Sequence, residues 1–428
     1  MTQMKFNKQL ISFLTNSVSP FHCVAESKLI LKNAGFSELK ESEKWILKDG
    51  QSYFVTRNNA SLIAFVYRKN FEKEGFRIVG AHTDSPCLKL KPVQDMIKDN
   101  YFQLSTEVYG GPVLSTWFDR DLSIAGKVCF SNGKNKLETA LVDFKDPVAI
   151  IPNLAIHLSG NKKKDIEKQK ELPPVLFQSS KKENFEKILI KELVRSGIKG
   201  VKRIMDHELF LYDTQAPSIC GLNKEFLTAG KLDNLLSCFA GLKAICDSDR
   251  KSGSVLVLND HEEVGSTSNT GAQGPFLLSI LERITKEKDS LWRSFDLSMI
   301  ISSDNAHGVH PNYSEKFDPS HKPLLNGGPV IKYNANQRYA SNCETTSIFK
   351  VVCEKARVPV QSFVMRSDMG CGSTIGPATS AKTGIKTIDI GVPTFGMHSI
   401  RETTGIKDSF YIYKAILTFN NMKNLPLN

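Results

Sequence analysis

The chain has 428 residues, of which 40% are hydrophobic and 24% charged, enough for a large core and, by length, for two domains. It holds no apolar run near the roughly 20 residues a membrane helix needs, and MTQMKFNKQLISFLTNSVSP lacks the apolar core and small-residue cleavage site of a signal peptide. A cytoplasmic protein without a membrane partner is therefore expected. The net charge of +11 raises the possibility of a nucleic-acid partner. The densest basic run, NKKKDIEKQK at 161–170, interleaves acids and carries no aromatics for stacking, so nucleic acid is not expected as a partner.

Along the chain, Phe6, Leu10, Phe13 and Leu14 follow helical spacing and predict an amphipathic opening helix. Short runs rich in β-branched and large apolar residues follow: SLIAFVYR, FRIVGAH, SVLVLND, LSMIISSD and KTIDIGVP. Helical patterns lie between some of them, notably ENFEKILIKELVRSG from Glu183 and LDNLLSCFAGLKAIC from Leu232. Strands alternating with helices predict an α/β domain on a mixed, largely parallel sheet flanked by helices. Residues 93–229 read differently, with short alternating segments such as VYGGPVLSTWFDRDLSIAGKVCF, and predict a β-rich domain inserted between segments 1–92 and 230–428 of the α/β domain. The nine cysteines are scattered and never paired as CxxC, which argues for reduced, buried thiols and against a thiolate metal site.

Four strands finish on or near a potential ligand: FRIVGAHTD on His82 and Asp84, VLVLNDHEE on Glu262 and Glu263, SMIISSD on Asp304, and TIDIGVPTFGMHS at His398. Ligands of open α/β sheets bind outside the carboxyl ends of the strands, so these side chains can converge despite their separation in sequence. Each alone has a plain alternative, a solvated turn for the acidic pair and a surface histidine for His398. Asp233, at the start of LDNLLSCFAG, adds a fifth candidate or else an acid stabilised by the helix dipole. Imidazole and carboxylates without thiolates suit Zn2+, Mn2+ or Co2+, and more than four such ligands suggest two divalent ions. Crowded acids then attract cations instead of only repelling one another. One glutamate of the pair stays free as a general base, and spacing does not say which. In His-x-Asp, Asp84 is placed to accept a hydrogen bond from the far nitrogen of His82.

In order along the chain, AHTDSP, IPNLAIHL, KLDNL, HEEVGS, SSDNAHGVHPNY, IKYNANQRYA, SDMGCGSTIGP and GMHSIRE resemble the aspartyl aminopeptidase family, M18, of dinuclear zinc exopeptidases. The resemblance covers nearly the whole chain. It implies His82, Asp233, Glu263, Asp304 and His398 as metal ligands, with Asp233 bridging, and Glu262 as the base that activates water. It also implies that the inserted domain mediates dimerisation within a homododecamer, where His157 of LAIHL reaches a neighbouring subunit's site. From the residues alone, His157 reads as a satisfied histidine in an inserted strand. The implied substrates are peptides with an N-terminal Asp or Glu, and Lys332 in VIKYN matches the cation that meets their side-chain carboxylate. The alternatives are the same chemistry on neutral N-terminal residues, or a metal-bound scaffold without catalysis, against which all five ligand positions and the base are intact. The glycines of SDMGCGSTIGP allow either close approach to substrate or a tight turn, and Cys371 among them has no evident base.

Overall fold

A computed structural model describes residues 1–133, 136–159, 165–179, 181, 183–285 and 287–426. Part of the lysine-rich run, residues 161–164, lies outside them. The chain divides into one unit of Met1–Asp84, Pro217–Met397 and Glu402–Asn428, and another of Ser85–Ala216 with His398–Arg401.

The first unit is built on a nine-stranded mixed sheet. In spatial order its strands are Ser37–Glu38, Ser52–Arg57, Ser61–Val66, Gly253–Asn259, Phe76–His82, Met299–Ser303, Lys386–Gly391, Val330–Tyr333 and Gln361–Val364. The middle four, from Gly253–Asn259 to Lys386–Gly391, are mutually parallel. Val330–Tyr333 runs antiparallel to its inner neighbour. Every residue of Phe76–His82 and Gly253–Asn259 is buried, as expected of parallel strands covered on both faces. Alternation of side chains divides them between two cores. Val79, Ala81, Leu256, Leu258 and Ile301 face a cluster that includes Phe6, Leu10 and Phe13 of the opening helix Gln3–Asn16 and much of the helix Leu232–Asp247. Ile78, Val255, Val257 and Ile300 face the other, with Phe276 and Ile280 of the helix Phe276–Thr285. A smaller five-stranded sheet holds Ser218–Cys220, Phe226–Ala229, Glu402–Gly405, Pro393–Phe395 and Ala306–His307.

The second unit carries a six-stranded antiparallel sheet, ordered Leu137–Asp143, Leu122–Ser131, Arg203–Asp213, Cys87–Lys98, Tyr101–Tyr109 and Val175–Gln178. The helix Phe185–Arg195 buries Phe185, Leu189 and Leu193. Its bounds differ from the 93 and 229 that sequence patterning set. Cys87–Lys98 is one strand that pairs along its length with Tyr101–Tyr109, so the unit opens before it. Phe226–Ala229 pairs with Glu402–Gly405, which ties it to the first unit. Among the described residues no helix is long and apolar enough to cross a membrane. No disulfide joins any of the nine cysteines, and Cys343 is exposed, a departure from the buried thiols expected.

Gly391 shows why the sheet tolerates so little change beside its ligand-bearing loops. A Cβ there would lie 2.0 Å from the Asp304 carbonyl oxygen. Gly391→Ala should therefore force the Asp304 loop outward and lower stability by roughly 1–3 kcal/mol, the usual range for overpacking. Chemical denaturation in the presence of a chelator measures this without a metal contribution, and an unchanged midpoint would contradict it.

Candidate metal centre

His82 ends its strand with 1% of its surface exposed. Its Nε2 lies 3.4 Å from Asp233 Oδ1 and 3.5 Å from Asp304 Oδ1. Its Nδ1 is 3.1 Å from the backbone carbonyl of Asp84 and 3.5 Å from Asp84 Oδ1. The carbonyl thus takes the closer position that the sequence assigned to the Asp84 carboxylate. That carboxylate, fully buried, does something spacing did not show. Its Oδ1 accepts the Glu262 N–H and its Oδ2 the Glu263 N–H, both at 3.1 Å. Asp84 therefore fastens the acidic turn to the strand that carries His82.

The turn has its own constraints. His261 is left-handed at φ 63°, and Glu262–Val264 form one short 3-10 turn closed by Gly265 at φ 94°. The two adjacent glutamates are held beside His82 by this geometry, and His82, Glu262 and Glu263 offer ligand atoms within 4.8 Å of one another. Asp233 precedes the regular part of its helix, with φ −80° and ψ 106°, so it is not a first-turn acid on the helix dipole. Its peptide bond to Asn234 is cis. Its N–H donates to Glu402 Oε2 at 2.9 Å, and Asn234 Nδ2 donates to the Ser303 carbonyl at 2.8 Å, which fixes the segment against the strand ends. His82, Asp233 and Asp304 form a second group within the same limit.

Charge in this cluster is poorly balanced within the protein. Burial pushes the Glu262 carboxyl up to about 8, with Asp304, Asp233 and Asp84 adding to the shift and His82 opposing it. Glu263 is pushed well above the ordinary carboxylate range by burial and then by Asp233. Burial alone would lower the His82 imidazole, but Asp233, Asp304 and Asp84 outweigh it and hold it well above its usual value. Burial is the main cause for the two glutamates, and a divalent ion among these side chains would reverse the sign of the carboxylate shifts. The donor set of imidazole and carboxylate fits zinc.

Asp304 is an exception, held below the usual range because the Lys332 ammonium and His82 outweigh its burial. Lys332 is 2% exposed, with Nζ 3.1 Å from Asp304 Oδ2 and 3.0 Å from the Asn305 carbonyl. His398 falls in the second unit, where its Nδ1 lies 3.1 Å from the Gly111 carbonyl. His157 is exposed on the helical turn Ile156–Ser159 rather than in a strand. A Cβ at Gly370 or Gly372 would meet nothing within 4 Å, so the fold itself does not demand those glycines. Gly376 is different, since its Cβ would lie 2.3 Å from the buried Asp389 carboxylate. Glu402 and Asn234 were missed as supports of Asp233, although both lie in quoted motifs, GMHSIRE and KLDNL.

An imidazole and carboxylates gathered at the carboxyl ends of parallel strands are the arrangement of a metal-dependent hydrolase. Comparison with known proteins agrees. The family described as Aminopeptidase I zinc metalloprotease (M18) matches residues 13–420. The Pseudomonas aeruginosa (strain UCBPP-PA14) protein named "Probable M18 family aminopeptidase 2" is 49% identical over 428 residues, covering 99% of each chain. A chain of the solved Ape4 and Nbr1 complex has a TM-score of 0.93 at 35% identity, covering 98% of this chain and 86% of that one. The S. cerevisiae mApe1 dodecamer gives 0.80 at 29%, covering 96% and 95%. The chain belongs to the M18 family and is a metallo-aminopeptidase.

Asp84→Asn replaces one acceptor of the glutamate turn by a donor, which faces an N–H. Zinc affinity should fall about 10- to 100-fold, the usual cost of disturbing the partners of metal ligands. Competition with a chromogenic chelator reads this directly, and wild-type affinity in the variant would show that the turn holds its shape without Asp84.

Proposed function

We propose that the protein is a dinuclear aminopeptidase that releases N-terminal Asp or Glu from peptides. His82, Asp233, Glu263, Asp304 and His398 would hold two divalent ions, Asp233 serving both; zinc is first choice, and manganese or cobalt suit the same donors. The observation that carries a metal centre is the convergence of His82 with Asp233 and Asp304 and with Glu262 and Glu263, each group offering ligand atoms within 4.8 Å of one another. Five carboxylates, counting Asp84 and Glu262, face one ammonium and imidazoles that are neutral as ligands, so one divalent ion meets about half of the imbalance and a second meets the rest.

When bound, the ions supply Lewis acidity toward the scissile carbonyl and an anchor for the free amino group, which restricts cleavage to chain ends. Glu262 takes a proton from the attacking water on its carboxylate. As the carbon–nitrogen bond breaks, it gives that proton to the leaving amine, so the peptide is replaced by an acid and an amine. Asp84 keeps the Glu262 backbone in place while this happens. His157 of a neighbouring subunit donates to the oxyanion.

That last role requires assembly, which we take to be a dodecamer built from dimers through the second unit; a related solved structure is a dodecamer of mApe1. Support comes from Leu154, Ile156 and Leu158, which surround His157 with 62%, 79% and 74% exposure, an apolar run suited to a partner copy. For substrate choice, Lys332 supplies the pocket cation. A second reading, preference for neutral N-terminal residues, is favoured by one observation: the Lys332 ammonium already lies on Asp304 and Asn305.

Glu262→Gln should keep its metals and lose at least about 100-fold in kcat, the lower range for general base catalysis; substantial residual activity refutes the assignment. Wild-type rates on matched chromogenic substrates with N-terminal Asp, Glu, Leu and Lys decide the preference. Chelator should abolish cleavage and zinc, manganese or cobalt restore it. Restored cleavage confined to Asp and Glu supports the acidic pocket, whereas restored cleavage of Leu in their place supports the second reading.

A further inference from the structure

Lys332 stands in the strand Val330–Tyr333, between Lys386–Gly391 and Gln361–Val364, and is almost wholly enclosed. Its ammonium meets protein on several sides. Asp304 Oδ2 and the Asn305 carbonyl accept from it at 3.1 and 3.0 Å, and the Tyr339 ring centroid is 5.1 Å away. The nearby Asp389 carboxylate is engaged elsewhere, accepting from the Ala340 N–H and the Thr374 hydroxyl, each at 2.6 Å.

Stability is a poor reason for such a lysine. Burying an ion pair costs several kcal/mol per ion in desolvation, and well-packed apolar residues of similar volume often serve a fold as well. What the pair does accomplish is to divide the two oxygens of Asp304. Oδ2 is taken by Lys332, while Oδ1 points at His82 Nε2, 3.5 Å away, within the ligand group of His82, Asp233 and Asp304. A carboxylate on a short loop otherwise rotates about its last side-chain torsion and offers either oxygen or both.

We propose that Lys332 is a positioning residue for the metal centre: it holds Asp304 by one oxygen so that the other is presented toward His82. This rests on Asp304 being a metal ligand, as proposed above. It gives the lysine a task that is independent of the substrate's side chain, and partners of ligating carboxylates are known to matter in this way.

Lys332→Met keeps the length and bulk of the side chain and removes its donors and charge. Zinc affinity, measured on the purified full-length protein by competition with a chromogenic chelator, should fall about 10- to 100-fold. At saturating zinc, kcat should fall by a similar factor on Asp, Glu and Leu substrates, with KM for the Leu substrate little changed. Lys332→Gln, which retains an N–H donor, should lie between wild type and Lys332→Met, and it decides the matter alone if the methionine variant does not fold.

Wild-type zinc affinity in the variants overturns the proposal. If that result is joined by a raised KM confined to Asp and Glu substrates, the lysine serves the substrate instead. Failure of the wild type to bind zinc or to hydrolyse any substrate overturns the metal-centre function itself. Loss of zinc binding in the wild type removes the present inference with it, whereas the ratio of variant to wild-type affinity judges the inference on its own.

Discussion

Five carboxylates held around one imidazole, with a single ammonium beside them, repel one another, and the protein must spend other interactions to keep them there. The crowding is enforced by backbone. Four parallel strands end side by side, and each ligand-bearing loop is pinned as it leaves: Asp304 by its N–H to the Ile390 carbonyl, the glutamate turn by both oxygens of Asp84, and Asp233 by Glu402. Relaxation by simple rotation of the loops would break these bonds. A divalent ion among the imidazole and carboxylates would offset the repulsion, and that donor set suits zinc.

The site is thus layered. The imidazole and carboxylates of the centre are backed by groups that stand behind them. Asp84 faces amides, Glu402 faces the Asp233 N–H, Asn234 faces the Ser303 carbonyl, and Lys332 faces Asp304. Most of these are buried polar groups whose hydrogen bonds run between segments far apart in sequence, as with the 169 positions between Asp233 and Glu402. Burial strengthens each of these bonds and makes each costly to leave unmade. The same logic extends to Gly391, where the absence of a side chain is what lets the Asp304 backbone pass.

Much of this was legible in the chain. The apolar runs ending in His82, Glu262 and Asp304 announced buried strands with chemistry at their carboxyl ends, because continuous runs of β-branched and large apolar residues and a sudden cluster of donors are local signals. The motifs carried the family. Glu402 and Asn234 had no such signal of their own, since a glutamate in a strand and an asparagine at a helix start are ordinary, and their value lies in partners contributed by other segments. The bounds of the second unit were displaced for the same reason: strand pairing, not composition, decides which sheet Cys87–Lys98 and Phe226–Ala229 join.

The sequence by itself determined the residue types, the order of strands and helices, and the family to which the chain belongs, all of which follow from local pattern and matched motifs. Tertiary structure alone decided what Asp84 and Lys332 do. A carboxylate two residues after a histidine is within reach of that histidine and of any amide the fold brings near, and the fold brings the amides of Glu262 and Glu263. A lysine in an apolar strand becomes an exposed cation or a buried partner according to its neighbour across space. Here that neighbour is Asp304, 28 residues earlier, and no spacing rule links the two.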